Sequence, residues 1–130
     1  MRSSKIDRIT NETNIKLVLN LDGAGKGTIK TNIPFFDHML DQLTFHSQTD
    51  LELNAQGDVE IDYHHTVEDC GICLGKAFSE AMGDKKGINR YGFFLLPMDD
   101  ALIRVALDFS GRSFLSWKSD FQPAALVISI

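Results

Sequence analysis

The sequence predicts an α+β fold, and three observations carry that prediction. Short stretches alternate apolar and polar residues, as half-buried strands do. Two longer stretches repeat apolar residues at helical spacing. Over the first 83 residues these stretches read strand, strand, helix, strand, strand, helix.

The first strand covers residues 14–21, where Ile15, Leu17, Leu19 and Leu21 alternate with Asn14, Lys16, Val18 and Asn20. A glycine-rich connection, Asp22-Gly23-Ala24-Gly25-Lys26-Gly27, follows. A phosphate-cradling loop leads from a strand into a helix, whereas this one leads into another strand. It is read as a plain turn, with residues 28–31 pairing back as a hairpin. Pro34 suits a first helical turn. Phe36, Met39, Leu40 and Leu43 then repeat at helical spacing to about Gln48. His38, Gln42 and His46 fall together off that stripe and are available for chemistry. Residues 50–54 read as a short strand, and the alternation of Val59, Ile61 and Tyr63 reads as the next. From there Val67, Cys70, Gly71, Leu74, Ala77, Phe78 and Ala81 form a long helical stripe, with Gly83 as its C-terminal cap. After a basic connection the pattern starts over. Residues 91–96 and 101–109 read as strands, Ser110-Gly111-Arg112 as a turn and residues 113–119 as another strand. The apolar residues Leu102, Val105, Leu107, Phe114 and Trp117 are expected to form a face without its cover.

A chain of 130 residues is one domain or part of one. Its 43% hydrophobic and 24% charged residues are globular proportions. The net charge of −5 argues against nucleic acid as a partner, because phosphate contacts need clustered Lys and Arg. The longest apolar run, residues 93–98, is too short to span a bilayer, so no membrane association is expected. Residues 1–8 are polar and unlike a secretory leader, which makes a cytoplasmic location the expectation. Cys70 and Cys73 form a Cys-x-x-Cys. One such pair supplies at most two zinc ligands, and Cys70 lies on the apolar stripe, so both are read as core residues.

The stretch richest in chemistry is His64-His65-Thr66-Val67-Glu68-Asp69. At a helix start, residues three and four apart share a face. His64, His65 and Glu68 can then offer two imidazoles and a carboxylate, a donor set suited to Mn, Fe or Zn. The competing reading is a solvated helix N-terminus with acidic residues near the positive end of the dipole.

Several segments together resemble one family. They are Arg8-Ile9-Thr10-Asn11-Glu12-Thr13, Leu21-Asp22-Gly23, Pro34-Phe35-Phe36-Asp37-His38-Met39-Leu40-Asp41-Gln42, Gly57-Asp58 with Ile61-Asp62, and His64 to Asp69. Leu74-Gly75, Gly87-Ile88-Asn89-Arg90, Pro97-Met98-Asp99 and Ser110-Gly111-Arg112 follow in order, so the likeness spans about residues 8–121. The chain resembles imidazoleglycerol-phosphate dehydratase, a hydro-lyase of histidine biosynthesis. The resemblance implies duplicated α+β half-domains, each a four-stranded sheet with two helices on one face. It implies a homo-oligomer, a 24-mer in the family, with two Mn ions per subunit held between subunits. Carried over, His38, His64, His65 and Glu68 look like metal ligands. Glu12, Gln42, His46, Arg90 and Arg112 look like substrate-contacting positions, alongside the ligands themselves. The reaction removes water from imidazole glycerol phosphate to give imidazole acetol phosphate. Glu12 is the preferred acid–base residue, with Glu68 as the other candidate, and the two arginines are forked donors for the substrate phosphate.

The chain also departs from the family. Residues 1–90 read as the first half, 91–121 as the beginning of the second with strands only, and 122–130 as an atypical tail. Such a chain reads as C-terminally truncated by a frameshift near Gln122, with its metal sites incomplete and its own activity in doubt. Ser113 also replaces the proline that usually follows Ser-Gly-Arg. Two alternatives stand beside the dehydratase reading: a non-catalytic remnant that binds metal or intact subunits, and another metal-dependent hydrolase.

Overall fold

The computed structural model describes residues 1–118, so the expected tail 122–130 and the end of the expected strand 113–119 lie outside the described residues. The chain is α+β. In order it forms β1 (Ser3–Ile9), β2 (Thr13–Asn20), β3 (Gly27–Lys30), α1 (Pro34–Ser47), β4 (Asp50–Gly57), α2 (His64–Met82), β5 (Tyr91–Met98) and β6 (Ala101–Asp108).

The first four strands make one sheet in the order β1-β2-β4-β3. β2 is its spine. Its odd-numbered side chains Ile15, Leu17 and Leu19 are buried, and its even-numbered ones point to the other face. β4 pairs antiparallel with it, placing Leu53 opposite Leu17 and Leu51 opposite Leu19. Both helices cover the same face. Leu40 of α1 and Cys70, Cys73 and Ala77 of α2 join the strand residues in one apolar cluster. Each fully buried leucine or isoleucine there contributes about 1.5–3 kcal/mol. The opposite face carries Asn14, Lys16, Asn54 and Gln56, and these line only a shallow polar depression.

Several sequence expectations are corrected. First, residues 28–31 do not fold back on β2. β3 instead runs parallel to β4, with Ile29 opposite Leu53, and α1 is the crossover between them. The glycine-rich loop makes this possible by wrapping around Asp50. The Asp50 carboxylate accepts from the backbone N–H groups of Ala24 (2.8 Å) and Lys26 (2.9 Å). A Cβ on Gly23 would lie 2.4 Å from the Asp50 backbone nitrogen, so only glycine fits. The loop is thus a cradle for a carboxylate of its own chain, in keeping with the turn reading.

Second, residues 58–63 form a turn rather than a strand, closed by the Ile61 N–H donating to the Asp58 carbonyl (2.8 Å). Ile61 and Tyr63 face solvent. The fourth strand is β1, which the alternation did not reveal because only Ile6 is buried along it. β1 still pairs over its full length with β2, Ile6 lying opposite Leu17. Third, residues 113–118 carry no strand.

β5 and β6 pair as an antiparallel hairpin around Asp99 and Asp100. Phe94 opposes Val105, Leu96 opposes Ile103, Gly92 opposes Leu107 and Met98 opposes Ala101, so one face is wholly apolar. The register puts Leu102 on the other face, opposite Pro97, not beside Val105 and Leu107 as the sequence suggested. Every residue of both strands is exposed. No helix among the described residues is long and apolar enough to cross a membrane.

Candidate functional site

The site grows from the start of α2. The chain leaves β4 at Gly57, turns through residues 58–63 and enters the helix at His64. Asp62 accepts from the His64 backbone N–H at 2.7 Å, satisfying one of the donors a helix start leaves open. Glycine at 57 is obligatory at this approach, because a Cβ there would overlap the Thr66 hydroxyl at 2.0 Å.

His64 and Glu68, one helical turn apart, meet with Nε2 and Oε2 separated by 2.7 Å. His65 turns the other way, its Nδ1 lying 2.9 Å from Oδ2 of Asp58. The two imidazole rings are 5.4 Å apart and tilted by 41°. Both are about half exposed. The hydrogen bond to Asp58 raises the His65 pKa above the usual imidazole range; burial opposes the shift, and the charges of Asp58, Glu12 and Asp62 reinforce it.

Glu12 therefore lies within electrostatic reach of His65, and the reason is visible in the turn that carries it. The hydroxyl of Thr10 accepts from the N–H groups of Glu12 (3.1 Å) and Thr13 (2.9 Å), closing a tight turn between β1 and β2. The Thr13 hydroxyl donates to Asp69 Oδ2 at 2.5 Å. Arg8 donates to Asp69 Oδ1 through Nη2 (2.8 Å) and Nε (3.1 Å). Burial works against the Asp69 charge, but the Thr13 and Arg8 bonds outweigh it and hold the carboxyl below its usual range. The segments 8–13 and 64–69, far apart in sequence, are thereby joined at one carboxylate.

The remaining sequence-predicted residues lie in two other places. His38, Gln42 and His46 are exposed on α1, the ring of His46 packing edge-on against Phe45 at 5.2 Å. They are not gathered with the α2 donors: among the described residues no three His, Cys, Asp or Glu side chains are arranged to hold a metal. Arg90 forks onto Asp108 at 2.6 and 3.1 Å and lies over the Tyr91 ring. The Asp108 carboxyl is held below its usual range, first by the Arg90 hydrogen bond, against burial and with help from the charges of Arg90 and Arg112. Arg90 is thus paired with Asp108 at the base of the hairpin, and Arg112 acts on that carboxylate only through its charge.

The donors of α2 fit a borderline-to-hard divalent ion in type, and His64 with Glu68 fit it in spacing. They are a partial set. A cavity of about 540 Å³ between α1 and α2 is lined by residues including Phe36, Leu40, Val67 and Leu74 and takes only Glu68 from the site. Its apolar walls do not suit a phosphate. Cys70 and Cys73 are buried free thiols, and burial foremost pushes Cys70 up to about 12, in keeping with the core reading. Sequence reasoning assigned no site role to Arg8, Thr13, Asp58 or Asp62, and read Asp69 only as an acidic residue near the positive end of the helix dipole. The signal available was a run of carboxylates flanking the histidine pair on both sides.

Residues 31–127 match the family model of imidazoleglycerol-phosphate dehydratase. Over 121 residues the chain is 60% identical to the imidazoleglycerol-phosphate dehydratase of Alkaliphilus metalliredigens, covering 93% of this chain and 62% of that protein. Over 127 residues it is 56% identical to that of Bacillus subtilis, covering 98% of this chain and 65% of that protein. The chain thus spans about 62% of the length of the first curated relatives it matches. The crystal structure of the Staphylococcus aureus imidazoleglycerol-phosphate dehydratase superposes with a TM-score of 0.81 at 34% identity, over 96% of this chain and 68% of that one. The fold, the joined segments around the histidine pair and these likenesses agree: the chain belongs to the imidazoleglycerol-phosphate dehydratase family.

Proposed function

We propose that the chain takes part in the dehydration of imidazole glycerol phosphate to imidazole acetol phosphate, a step of histidine biosynthesis. The observation that carries this reading is the junction of the Glu12 turn with the His64-His65-x-x-Glu68 helix through Asp69. It brings Glu12 within electrostatic reach of His65, which supports a reading of acid–base chemistry beside a coordinated substrate. His64, His65 and Glu68 would hold Mn, with His38 supplied from α1 of the same or a neighbouring chain. When bound, the metal supplies Lewis acidity toward the substrate imidazole and a template for its orientation. Glu12, exposed at its turn, moves the proton. Arg90 and Arg112 neutralise the substrate phosphate, which displaces Asp108 as the anionic partner of Arg90. In this reading the working unit is a homo-oligomer in which chains share ligands.

The test is a dehydratase assay of the purified chain with and without added Mn, on species separated by size. Activity is expected only in an assembled, Mn-loaded species, and Glu12→Gln should lower kcat at least about 100-fold, the low end of general acid–base contributions. Metal-free activity equal to the loaded value, or an unimpaired Glu12→Gln, would overturn the reading.

A further inference from the structure

Asp58 has no structural task that accounts for its side chain. Its carbonyl closes the turn with Ile61, but that needs no carboxylate. The α2 start is served by Asp62 instead. Yet the Asp58 side chain is only 16% exposed, and a carboxylate taken out of water needs compensation. Oδ2 finds it in Nδ1 of His65 at 2.9 Å. Oδ1 is fully buried and has no hydrogen-bond partner, and the same holds for the neighbouring Thr66 hydroxyl. The chain therefore tolerates an incompletely satisfied carboxylate for the sake of one contact.

That contact has a definite chemical effect. A carboxylate only accepts, so the shared proton sits on Nδ1 of His65. In the neutral ring, Nε2 then carries the free lone pair. His64 is engaged in the opposite sense, with Nε2 occupied by Glu68. We propose that Asp58 is a positioning residue that locks His65 in the Nδ1–H tautomer and orients the ring, so that Nε2 is the ligating nitrogen. The ligand role of His65 rests on the function proposed above; the tautomer lock does not.

The experiment uses the metal-free 130-residue chain labelled with ¹⁵N. Long-range ¹H–¹⁵N correlation at alkaline pH, where the rings are neutral, reads the protonated nitrogen of each histidine. Wild type should show His65 as Nδ1–H alone. Asp58→Ala should shift it toward the Nε2–H form, and Asp58→Asn, whose amide oxygen still accepts, should restore Nδ1–H. Calorimetric titration with Mn should show about 10–100-fold weaker binding for Asp58→Ala than for wild type. An Nε2–H signal for His65 in wild type, or an unchanged tautomer in Asp58→Ala, would refute the lock; the wild-type spectrum decides even if the variant fails to fold. A confirmed lock with no Mn binding by wild type would instead overturn the metal-dependent reading.

Discussion

Replacing Asp69 with asparagine removes the charge from a carboxylate that β1, β2 and α2 share. Its contact with Thr13 is buried at both ends, Thr13 being 4% and Asp69 8% exposed. A hydrogen bond to a charged group in such a place is worth about 1.5–3 kcal/mol. The Arg8 side chain is 32% exposed, so solvent screens that pair, and it adds no more than about 1 kcal/mol. Asparagine keeps one acceptor oxygen and turns an N–H toward the other donor. The expected loss is about 2–3 kcal/mol, a sizeable share of the 5–15 kcal/mol or so that holds a domain. With a urea slope of about 1–3 kcal/mol per molar, the unfolding midpoint should fall by roughly 0.7–3 M, read by far-ultraviolet circular dichroism. The pH dependence has a defined sign. The folded carboxyl titrates below its ordinary value of 3.8, so its contribution is complete above that pH and disappears as pH falls through the lower folded value. The variant should therefore lose less stability than wild type in that acid window. A midpoint shift below about 0.3 M, or additive effects of Asp69→Asn and Thr13→Val in a double-mutant cycle, would refute the reasoning.

Gly57→Ala should destabilise the chain by about 1–3 kcal/mol through overlap with the Thr66 hydroxyl, and Thr66→Ala should recover most of the loss in the same urea assay. An unimpaired Gly57→Ala would show that the end of β4 and the start of α2 are less closely apposed. Cys70 and Cys73 should resist iodoacetamide at pH 8 until the chain is unfolded, since both are buried and burial raises both thiols; rapid alkylation of the native protein would contradict their core placement. The apolar face of the β5–β6 hairpin should drive concentration-dependent association and dye binding. Leu96→Lys with Ile103→Glu, a directly opposed pair, should reduce both in sedimentation and fluorescence measurements, and no change would show that another surface associates.

α2 and β2 were legible in the sequence because each buries a stripe, at spacing 3.6 in α2 and at spacing 2 in β2, whereas α1 was legible from its apolar repeat although only Leu40 of that repeat is buried and Met39 and Leu43 are exposed. β1 was not, because an edge strand with Ile6 as its one buried residue leaves no alternation to read. The alternation of Val59, Ile61 and Tyr63 misled for the opposite reason: the pattern is present, but the turn closed at Asp58 leaves Ile61 and Tyr63 in solvent. The pairing of β3 was decided by α1, whose return lays β4 alongside β3 in parallel, and no local pattern encodes that. At the site, the spacing of His64 and Glu68 anticipated their meeting. The tie between Asp69 and Thr13 joins residues 56 positions apart, which only the sheet brings together.

That tie also fixes a rotation. Neighbouring residues on an α-helix point about 100° apart, and Glu68 and Asp69 differ chemically by a single methylene. What separates an exposed carboxylate from a buried anchor is the angular phase of α2. Arg8 and Thr13 set that phase by holding Asp69 against the sheet. A one-residue insertion or deletion between His65 and Glu68 would force a choice: keep the anchor and swing the histidines away, or keep the histidines and bury the wrong carboxylate. The direction in which this helix presents its imidazoles is therefore decided on its opposite side.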